Sequence, residues 1–452
     1  MRLGVSIAAS GGRQPTPFWS APVYLATAAD GSNQHGPAAI LDLRQDRFAL
    51  SGVPAGDVPL ASTAALTALS ARQLTDILGF TRAGSATYID ADGLLQLAAA
   101  DQPRFDYTHG RRQLLLEGPA TNLLTYSNDL TNAAWLKTRV SAAKAETGPS
   151  GAPDDACAIV AAPEAGSHYI YRPVTFSAQP YTLTLRVKYA GHRWFYVRLY
   201  DGSNLPLASF DLLNGVAGNT SGAVARTMTA DENGFYKITV TATMTAGTGN
   251  VLLGLNATDA AGIDGWTPTG AEKIIVYGTQ LEAGSHSTSY IPTNGTTVTR
   301  PADRAQLAEP VAALLRREEA SVLVQGEGIS GSSPFTGGRL LSGPDGSDAV
   351  YLLNTLGTSI NAASPVMELA TVAAPLPGFG IAAGWDGSTL SGSYNAGAVQ
   401  SRSGMQEAVL STAYLGRNET AIAFAAGWYD QLMIWPFRMT DADLQAKAVA
   451  YA

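Results

Sequence analysis

Apolar and polar residues alternate along several short runs in the middle of the chain. The clearest runs cover 181–189, 194–200, 236–243, 251–255 and 273–282. A period of two is typical of strands that place one face on a core and the other toward solvent. Turn residues separate the runs, so the pattern predicts an all-β sandwich over residues 121–300.

The first 79 residues are predicted to form an N-terminal docking arm. Short strands are expected at 38–43 and 47–50, and a helix is expected over 61–78, with Gly79 as its stop. A terminal arm of this composition is expected to bind a partner rather than form a core. An extended, irregular start with aromatic anchors is indicated by Pro15, Pro17, Phe18, Trp19 and Pro22.

Two hairpins are predicted in residues 80–120. The first turns at Asp92-Gly93, between two β-prone runs, and the second turns at His109-Gly110. Together they predict a small β collar at the base of the sandwich that follows.

A second β-sandwich is predicted over residues 321–452. The charged segment 301–320 before it is expected to be a linker or a short helix. Trp428, Tyr429 and Trp435 of the last strand are expected in the core. Thr440 is expected to cap a final short helix whose first turn carries acidic residues.

Length and charge limit the function classes. A chain of 452 residues is expected to hold two or three domains. The formal net charge of -8 argues against nucleic-acid binding and against attraction to anionic membranes. No apolar run reaches about 18 residues, so no membrane insertion is expected. One cysteine, Cys157, excludes internal disulfides, and neither a metal nor another cofactor is predicted.

Sugar binding needs flat aromatic surfaces beside polar or charged groups. Within 194–200, alternation puts either the odd or the even positions inside, and Phe195, Val197 and Leu199 are the natural core side. The predicted ligand-binding residues of the first sandwich are Trp194, Tyr196, Arg198, Tyr200 and Trp266. Those of the second are Trp385, Asp386, Tyr394, Asn395 and Arg417. The alternative for the set within 194–200 is cover by the other sheet or by a subunit, and the alternative for Trp385 is packing within its strand.

Three motifs give the chain a family resemblance. They are RFDY at 104–107, QLLLEGP at 113–119 and TNLLTYSND at 121–129. These segments resemble bacteriophage tail-fibre and head-decoration proteins. TNLLTYSND, Trp135 and the closing segment 277–295 resemble a carbohydrate-binding jelly roll. The final strand, a proline and the T-x-x-D-L helix at 440–444 are similar to a concanavalin-A-like, laminin-G-type domain.

The resemblance implies an all-β spike or fibre protein with a docking arm and two lectin-like sandwiches. It implies adsorption to host surface or capsular polysaccharide, and a homotrimer joined by its arm to a particle or base protein. The chain would be made in the bacterial cytoplasm and displayed on a virion or phage-like particle. Tail fibres and head spikes of gene transfer agents both remain open.

Two alternatives to a non-enzymatic adhesin remain. A glycan depolymerase needs two carboxylates across a cleft. Glucanases of the concanavalin-A-like fold commonly carry an E-x-D-x-x-E run, which this sequence lacks. The other alternative is a structural collar without a ligand. Asp345 and Asp348 would suit the Ca²⁺ site that some lectins of this fold carry, but further ligands are not evident.

Overall fold

The all-β class predicted from the sequence is confirmed. The computed structural model describes residues 17–29, 34–51, 68–331, 338–342, 349–353, 357–361, 366–370, 378–403, 413–417 and 424–450. These ranges hold 35 strands and two α-helices. Ten strands precede residue 117: β1 Ala26–Thr27, β2 Gln34–His35, β3 Ala39–Asp42, β4 Arg47–Leu50, β5 Ser70–Ala71, β6 Leu78–Thr81, β7 Ala86–Ile89, β8 Leu95–Ala98, β9 Arg104–Asp106 and β10 Gln113–Leu116.

Fourteen strands lie between residues 120 and 300: β11 Ala120–Asn122, β12 Leu136–Thr138, β13 Val140–Glu146, β14 Ala156–Ala161, β15 His168–Phe176, β16 Gln179–Tyr189, β17 Trp194–Tyr200, β18 Leu207–Asp211, β19 Val216–Ser221, β20 Ala225–Ala230, β21 Tyr236–Met244, β22 Gly247–Asn256, β23 Lys273–Ala283 and β24 Val298–Arg300. They include every alternating run identified in the sequence. Short 3-10 turns occur at Phe18–Ser20, Pro22–Tyr24, Leu74–Asp76 and Glu232–Gly234.

The remaining elements complete the chain: β25 Arg304–Leu307, α1 Glu309–Leu315, β26 Glu319–Gly331, β27 Gly338–Ser342, β28 Ala349–Leu353, β29 Gly357–Asn361, β30 Val366–Ala370, β31 Phe379–Asp386, β32 Thr389–Tyr394, β33 Gln400–Ser403, β34 Tyr414–Leu415, β35 Ala425–Trp435 and α2 Asp441–Lys447. The predicted cap of α2 is confirmed, because Thr440 Oγ1 accepts a hydrogen bond from the Asp443 amide. Tyr429 and Trp435 are buried in cores as predicted, whereas Trp428 is half-buried.

Residues 120–300 form a two-sheet sandwich, here called the inserted sandwich. Its sheets have the strand orders β12-β15-β22-β17-β18-β19 and β13-β14-β23-β16-β21-β20, with all neighbours antiparallel. Inward-facing side chains of both sheets, such as Phe195, Leu183 and Val276, share one core. The entering strand β11 pairs with the leaving strand β24, so the chain enters and exits this sandwich at one place.

The chain on both sides of the insertion forms a second sandwich, here called the terminal sandwich. One sheet runs β33-β32-β31-β26-β35-β3-β4-β5, with β10 paired to β35 and β9 paired to β10. The other runs β30-β29-β28-β27-β34-β25-β6. Leu41, Leu78, Leu114, Val324 and Leu415 belong to one core cluster, although they come from opposite halves of the sequence.

The described part of the predicted docking arm is not a separate piece. β3 pairs with β35 near the carboxyl end of the chain, with Leu41 opposite Leu432. Ile40 and Leu41 are both buried, so this strand needs cover on its two faces. An isolated arm could not supply that cover, whereas a central position in a sheet can. Residues 1–16 and 52–67 lie outside the described residues. The helix predicted over 61–78 is wrong in its described part, because residues 68–78 contain β5, a 3-10 turn and the start of β6.

The predicted linker is also part of the terminal sandwich. Within 301–320, β25 pairs with β6 and β34, and α1 packs Val311 and Leu314 into the core. The predicted collar is divided. Both hairpins are present, with positive φ at Gly93 and Gly110 in their turns. β7 and β8 form their own two-stranded sheet, whereas β10 extends the pairing of β35.

A buried charged cluster joins the two sandwiches. Glu117 forms ion pairs with Arg104 at 2.7 Å and Arg300 at 3.4 Å, and it accepts two hydrogen bonds from Ser289. Asp303 pairs with Arg104 and with Arg82. The RFDY and QLLLEGP motifs therefore supply Arg104 and Glu117, two members of this cluster.

Candidate functional site

The outer face of β17 carries the first set of predicted ligand-binding residues. Phe195, Val197 and Leu199 are buried in the core of the inserted sandwich. Alternation therefore turns the even-numbered side chains of β17 to the opposite face. The predicted inside–outside division of this strand is confirmed.

Two further tyrosines join this face from β15. Across the sheet, Tyr169 lies opposite Gly254, and Gly254 lies opposite Tyr196. Tyr171 lies opposite Leu252. The ring centroids of Tyr169 and Tyr171 are 5.9 Å apart. We call the whole set the aromatic face: Tyr169, Tyr171, Trp194, Tyr196, Arg198 and Tyr200.

Sequence reasoning missed Tyr169 and Tyr171. The available signal was the alternation in 168–176, where Ile170 faces the core. The sequence could not show that β15 and β17 lie near each other. Both strands pair with β22, which begins 47 residues after the end of β17. Their placement at one face is a result of strand order.

Tyr196 forms the base of the aromatic face and is not an exposed stacking surface, in contrast to its predicted role. It is fully buried in a small cluster with Leu207 and Leu252, against which Tyr169 and Ile263 also pack. Ile263 belongs to the loop after β22. Burial raises the pKa of Tyr196 well above its ordinary value. The neighbouring Tyr169, Tyr171, Trp194 and Tyr200 are partly exposed.

Trp194 is held by a charged neighbour. The Arg193 guanidinium lies 4.5 Å from the Trp194 ring centroid and forms a 2.6 Å ion pair with Asp211. The bonds from Arg193 and Asn214 lower the pKa of Asp211 to about 2. Arg193 and Asp211 therefore form a neutral pair at this end of the face.

Several polar atoms around the aromatic face lack hydrogen-bond partners among the described residues. They are Tyr196 Oη, Arg198 Nε, Ser209 Oγ and Asn250 Oδ1, all of them buried atoms. Ser209 lies opposite Tyr196, and Asn250 lies opposite Tyr200. A buried polar group without a partner costs about 1–3 kcal/mol, so an ordered water at these atoms would be stabilising.

Trp266 does not join this set. It packs against the core of the inserted sandwich, and its Nε1 donates to the Leu255 carbonyl at 3.4 Å. The His192 ring stacks on it with centroids 5.3 Å apart, and the His168 ring meets it edge-on. Its contacts are those of a packing residue at the margin of the core.

The second predicted set is not brought together into one site. Trp385 packs against the core and donates its Nε1 hydrogen to the Arg317 carbonyl at 2.9 Å. Tyr394 packs against the same core, and burial raises its pKa. Asp386 accepts hydrogen bonds from Ser388 and Thr389 in the β31–β32 turn.

Asn395 and Arg417 also have local structural contacts. Asn395 has a positive φ of 45° and accepts a hydrogen bond from the Gly380 amide. Arg417 is buried, with its guanidinium near the rings of Tyr414 and Phe424. Asp345 and Asp348 lie outside the described residues. Within the described ranges, no three histidine, cysteine or acidic side chains are grouped as a metal site.

Two cavities lie near the junction of the sandwiches. One has a volume of about 60 Å³ and is bordered by Asp106, Glu117 and Lys237. That volume holds a few water molecules and is far below the 300 Å³ or more of a typical ligand pocket. The other, of about 240 Å³, is an open depression in which Tyr290 is the aromatic member of the lining.

The chain was compared with known proteins. No protein-family model and no curated protein matches it. Among solved structures, it is similar to Trypanosoma rangeli sialidase in complex with the inhibitor DANA, with 10% identity, 88% of this chain and 77% of that chain covered, and a TM-score of 0.24. The same sialidase with 2,3-difluorosialic acid, a covalent intermediate, gives 10% identity, 92% and 80% coverage, and a TM-score of 0.24. Such TM-scores carry no argument about fold or activity.

No helix in the described ranges is both long and apolar enough to cross a membrane.

Proposed function

We propose that this protein is a spike or fibre component of a phage-like particle, which binds host-surface polysaccharide through its aromatic face. The observation that carries the proposal is the row of partly exposed rings, Tyr169, Tyr171, Trp194 and Tyr200, around the partly exposed Arg198. Aromatic rings suit the C–H faces of sugars, and a guanidinium suits their hydroxyl groups.

Rigidity of the sheet favours such binding. The tyrosines project from strands paired along most of their length, as with β15 and β22 from residue 168 to 176. A surface held in this way loses little conformational entropy when a ligand binds. Each contact would be weak. Several copies on one particle, as in the homotrimer that the motif resemblance implies, would raise the avidity.

The proposed activity is binding without cleavage. Glycoside hydrolysis needs two carboxylates on opposite sides of the scissile bond. The acids next to the aromatic face have other partners. Asp211 is paired with Arg193, and Asp264 accepts hydrogen bonds from Thr258. The particle assignment rests on the resemblance of the motifs at 104–129, which in this fold supply the junction of the two sandwiches.

A binding assay on purified capsular polysaccharide tests the proposal. Tyr171→Ala is expected to weaken retention of the full chain by roughly fivefold, since stacking of one aromatic ring contributes on the order of 1 kcal/mol. Tyr189→Ala is the matched control, because Tyr189 is 39% exposed in the other sheet of the same sandwich. Equal binding of wild type and Tyr171→Ala would contradict the proposal. Release of reducing ends during the assay would instead identify a depolymerase.

A further inference from the structure

Arg198 lies near the centre of the aromatic face. Its neighbours across the sheet are Leu207 on β18 and Leu252 on β22, both of them apolar and buried. Arg198 takes part in no ion pair among the described residues, whereas Arg186 and Arg193 of the same sandwich are both paired. Its Nε is buried and has no acceptor there.

The remaining charges near the face do not neutralise Arg198. Arg193 and Asp211 cancel each other at the Trp194 end. Asp264 lies in the loop after β22 and accepts hydrogen bonds from the amide and the hydroxyl of Thr258. The loop that carries Asp264 begins after Asn256, which pairs with Trp194 at one end of β17. Arg198 lies further along β17, two residues beyond Tyr196 and toward Tyr200. Arg198 therefore carries a positive charge that no ion pair among the described residues neutralises.

A guanidinium in this setting selects for a planar anion. It presents its N–H groups as a rigid fork that matches a carboxylate in two parallel hydrogen bonds. Partial burial among Leu207, Leu252 and tyrosines strengthens such a bond compared with one in open water. Resting on the proposed function, we infer that the glycan bound by the aromatic face contains an acidic sugar whose carboxylate binds Arg198.

The test compares two polymers that differ only at the carboxylate carbon of each acidic sugar. The full chain is passed over immobilised polyuronate and over the same polymer after chemical reduction of its carboxylates to alcohols. We expect tighter binding to the acidic form, with an affinity that falls as salt is added. Arg198→Met keeps most of the apolar stem and is expected to weaken binding to polyuronate by about tenfold or more, with little change on the reduced polymer.

Two further variants distinguish recognition from general attraction. Arg198→Lys keeps the charge but loses the fork, so it is expected to recover only part of the affinity. Lys144→Met removes one exposed charge from β13 in the other sheet and is expected to bind as wild type does. Equal losses for Arg198→Met and Lys144→Met would overturn the inference, and so would equal retention on dextran sulfate and polyuronate.

The outcome also separates this inference from the proposed function. The wild type could bind the acidic and the reduced polymer equally, with binding unchanged by Arg198→Met but weakened by Tyr171→Ala. That result would overturn the acidic-sugar inference alone. If the wild type is retained on neither the two polymers nor the capsular polysaccharide, both proposals fall. Circular dichroism of each variant is expected to match wild type, because Arg198 and Tyr171 lie outside the core of the inserted sandwich.

Discussion

Gly254 and Tyr196 face each other across β22 and β17, and the tyrosine ring occupies the space above the glycine. A Cβ atom at position 254 would lie 2.3 Å from Tyr196 Cζ, far inside van der Waals contact. The absence of a side chain thus lets the ring lie flat against the sheet. Tyr196 in turn fills the middle of the aromatic face, between Tyr169 and Arg198.

Gly254→Ala is therefore expected to displace Tyr196 and to lower the free energy of unfolding by about 1–3 kcal/mol through overpacking. Urea denaturation measures this change. Gly262→Ala is the control, because a Cβ at Gly262 would meet nothing within 4 Å. The polysaccharide assay should show weaker binding for Gly254→Ala than for Gly262→Ala. Equal stability of the two variants would contradict the packing argument.

The ion pairs of Glu117 predict an acid-sensitive junction. Although burial alone would raise the pKa of Glu117, Arg300 and Arg104 lower it from 4.5 to about 2. A carboxyl whose pKa is lower in the folded state stabilises the fold above its unfolded pKa and loses that contribution as pH falls. We expect the melting temperature of wild type to decrease between about pH 5 and pH 2.

The matched variant for this prediction is Glu117→Gln. It is expected to be less stable than wild type at pH 7 by a few kcal/mol, because Arg104 and Arg300 lose a buried partner. The difference between the two proteins should shrink toward pH 2. Calorimetry over this pH range measures it, and parallel pH profiles for the two proteins would rule out Glu117 as a source of the acid sensitivity.

Asn122 joins the opening and closing motifs of the inserted sandwich. Its Nδ2 donates to the carbonyls of Thr279 and Ile291, and its Oδ1 accepts from the amides of Leu124 and Leu281. Asn122→Ala would leave these buried backbone groups without partners. We expect a loss of about 2 kcal/mol or more in unfolding free energy. Thr121→Ala, which removes one exposed hydroxyl contact, is expected to change stability by less than about 0.5 kcal/mol.

Leu41 tests whether the amino-terminal segment belongs to the terminal sandwich. The residue is fully buried, and its strand partner is Leu432. Leu41→Ala is expected to cost about 2–5 kcal/mol of unfolding free energy. Val23→Ala, at a position with 60% exposure, is expected to have little effect. A negligible effect of Leu41→Ala would favour a separate docking arm instead.

The sequence by itself determined the local elements and the sidedness of the strands. Alternation located β16, β17, β21, β22 and β23 and assigned Phe195 and Trp194 to opposite faces. Turn residues located both hairpins, and Thr440 located the start of α2. These predictions succeeded because each depends on residues close together in the chain.

Only the tertiary structure decided which strands are neighbours. β3 pairs with β35, which lies almost four hundred residues away in the chain. The predicted arm and the predicted linker therefore belong to the terminal sandwich, and the inserted sandwich lies between them in the sequence. The same strand order brought Tyr169 and Tyr171 beside Arg198, and it placed Trp266 and Trp385 against cores. Alternation shows which face of a sheet a side chain occupies, whereas its neighbours on that face depend on how the whole chain packs.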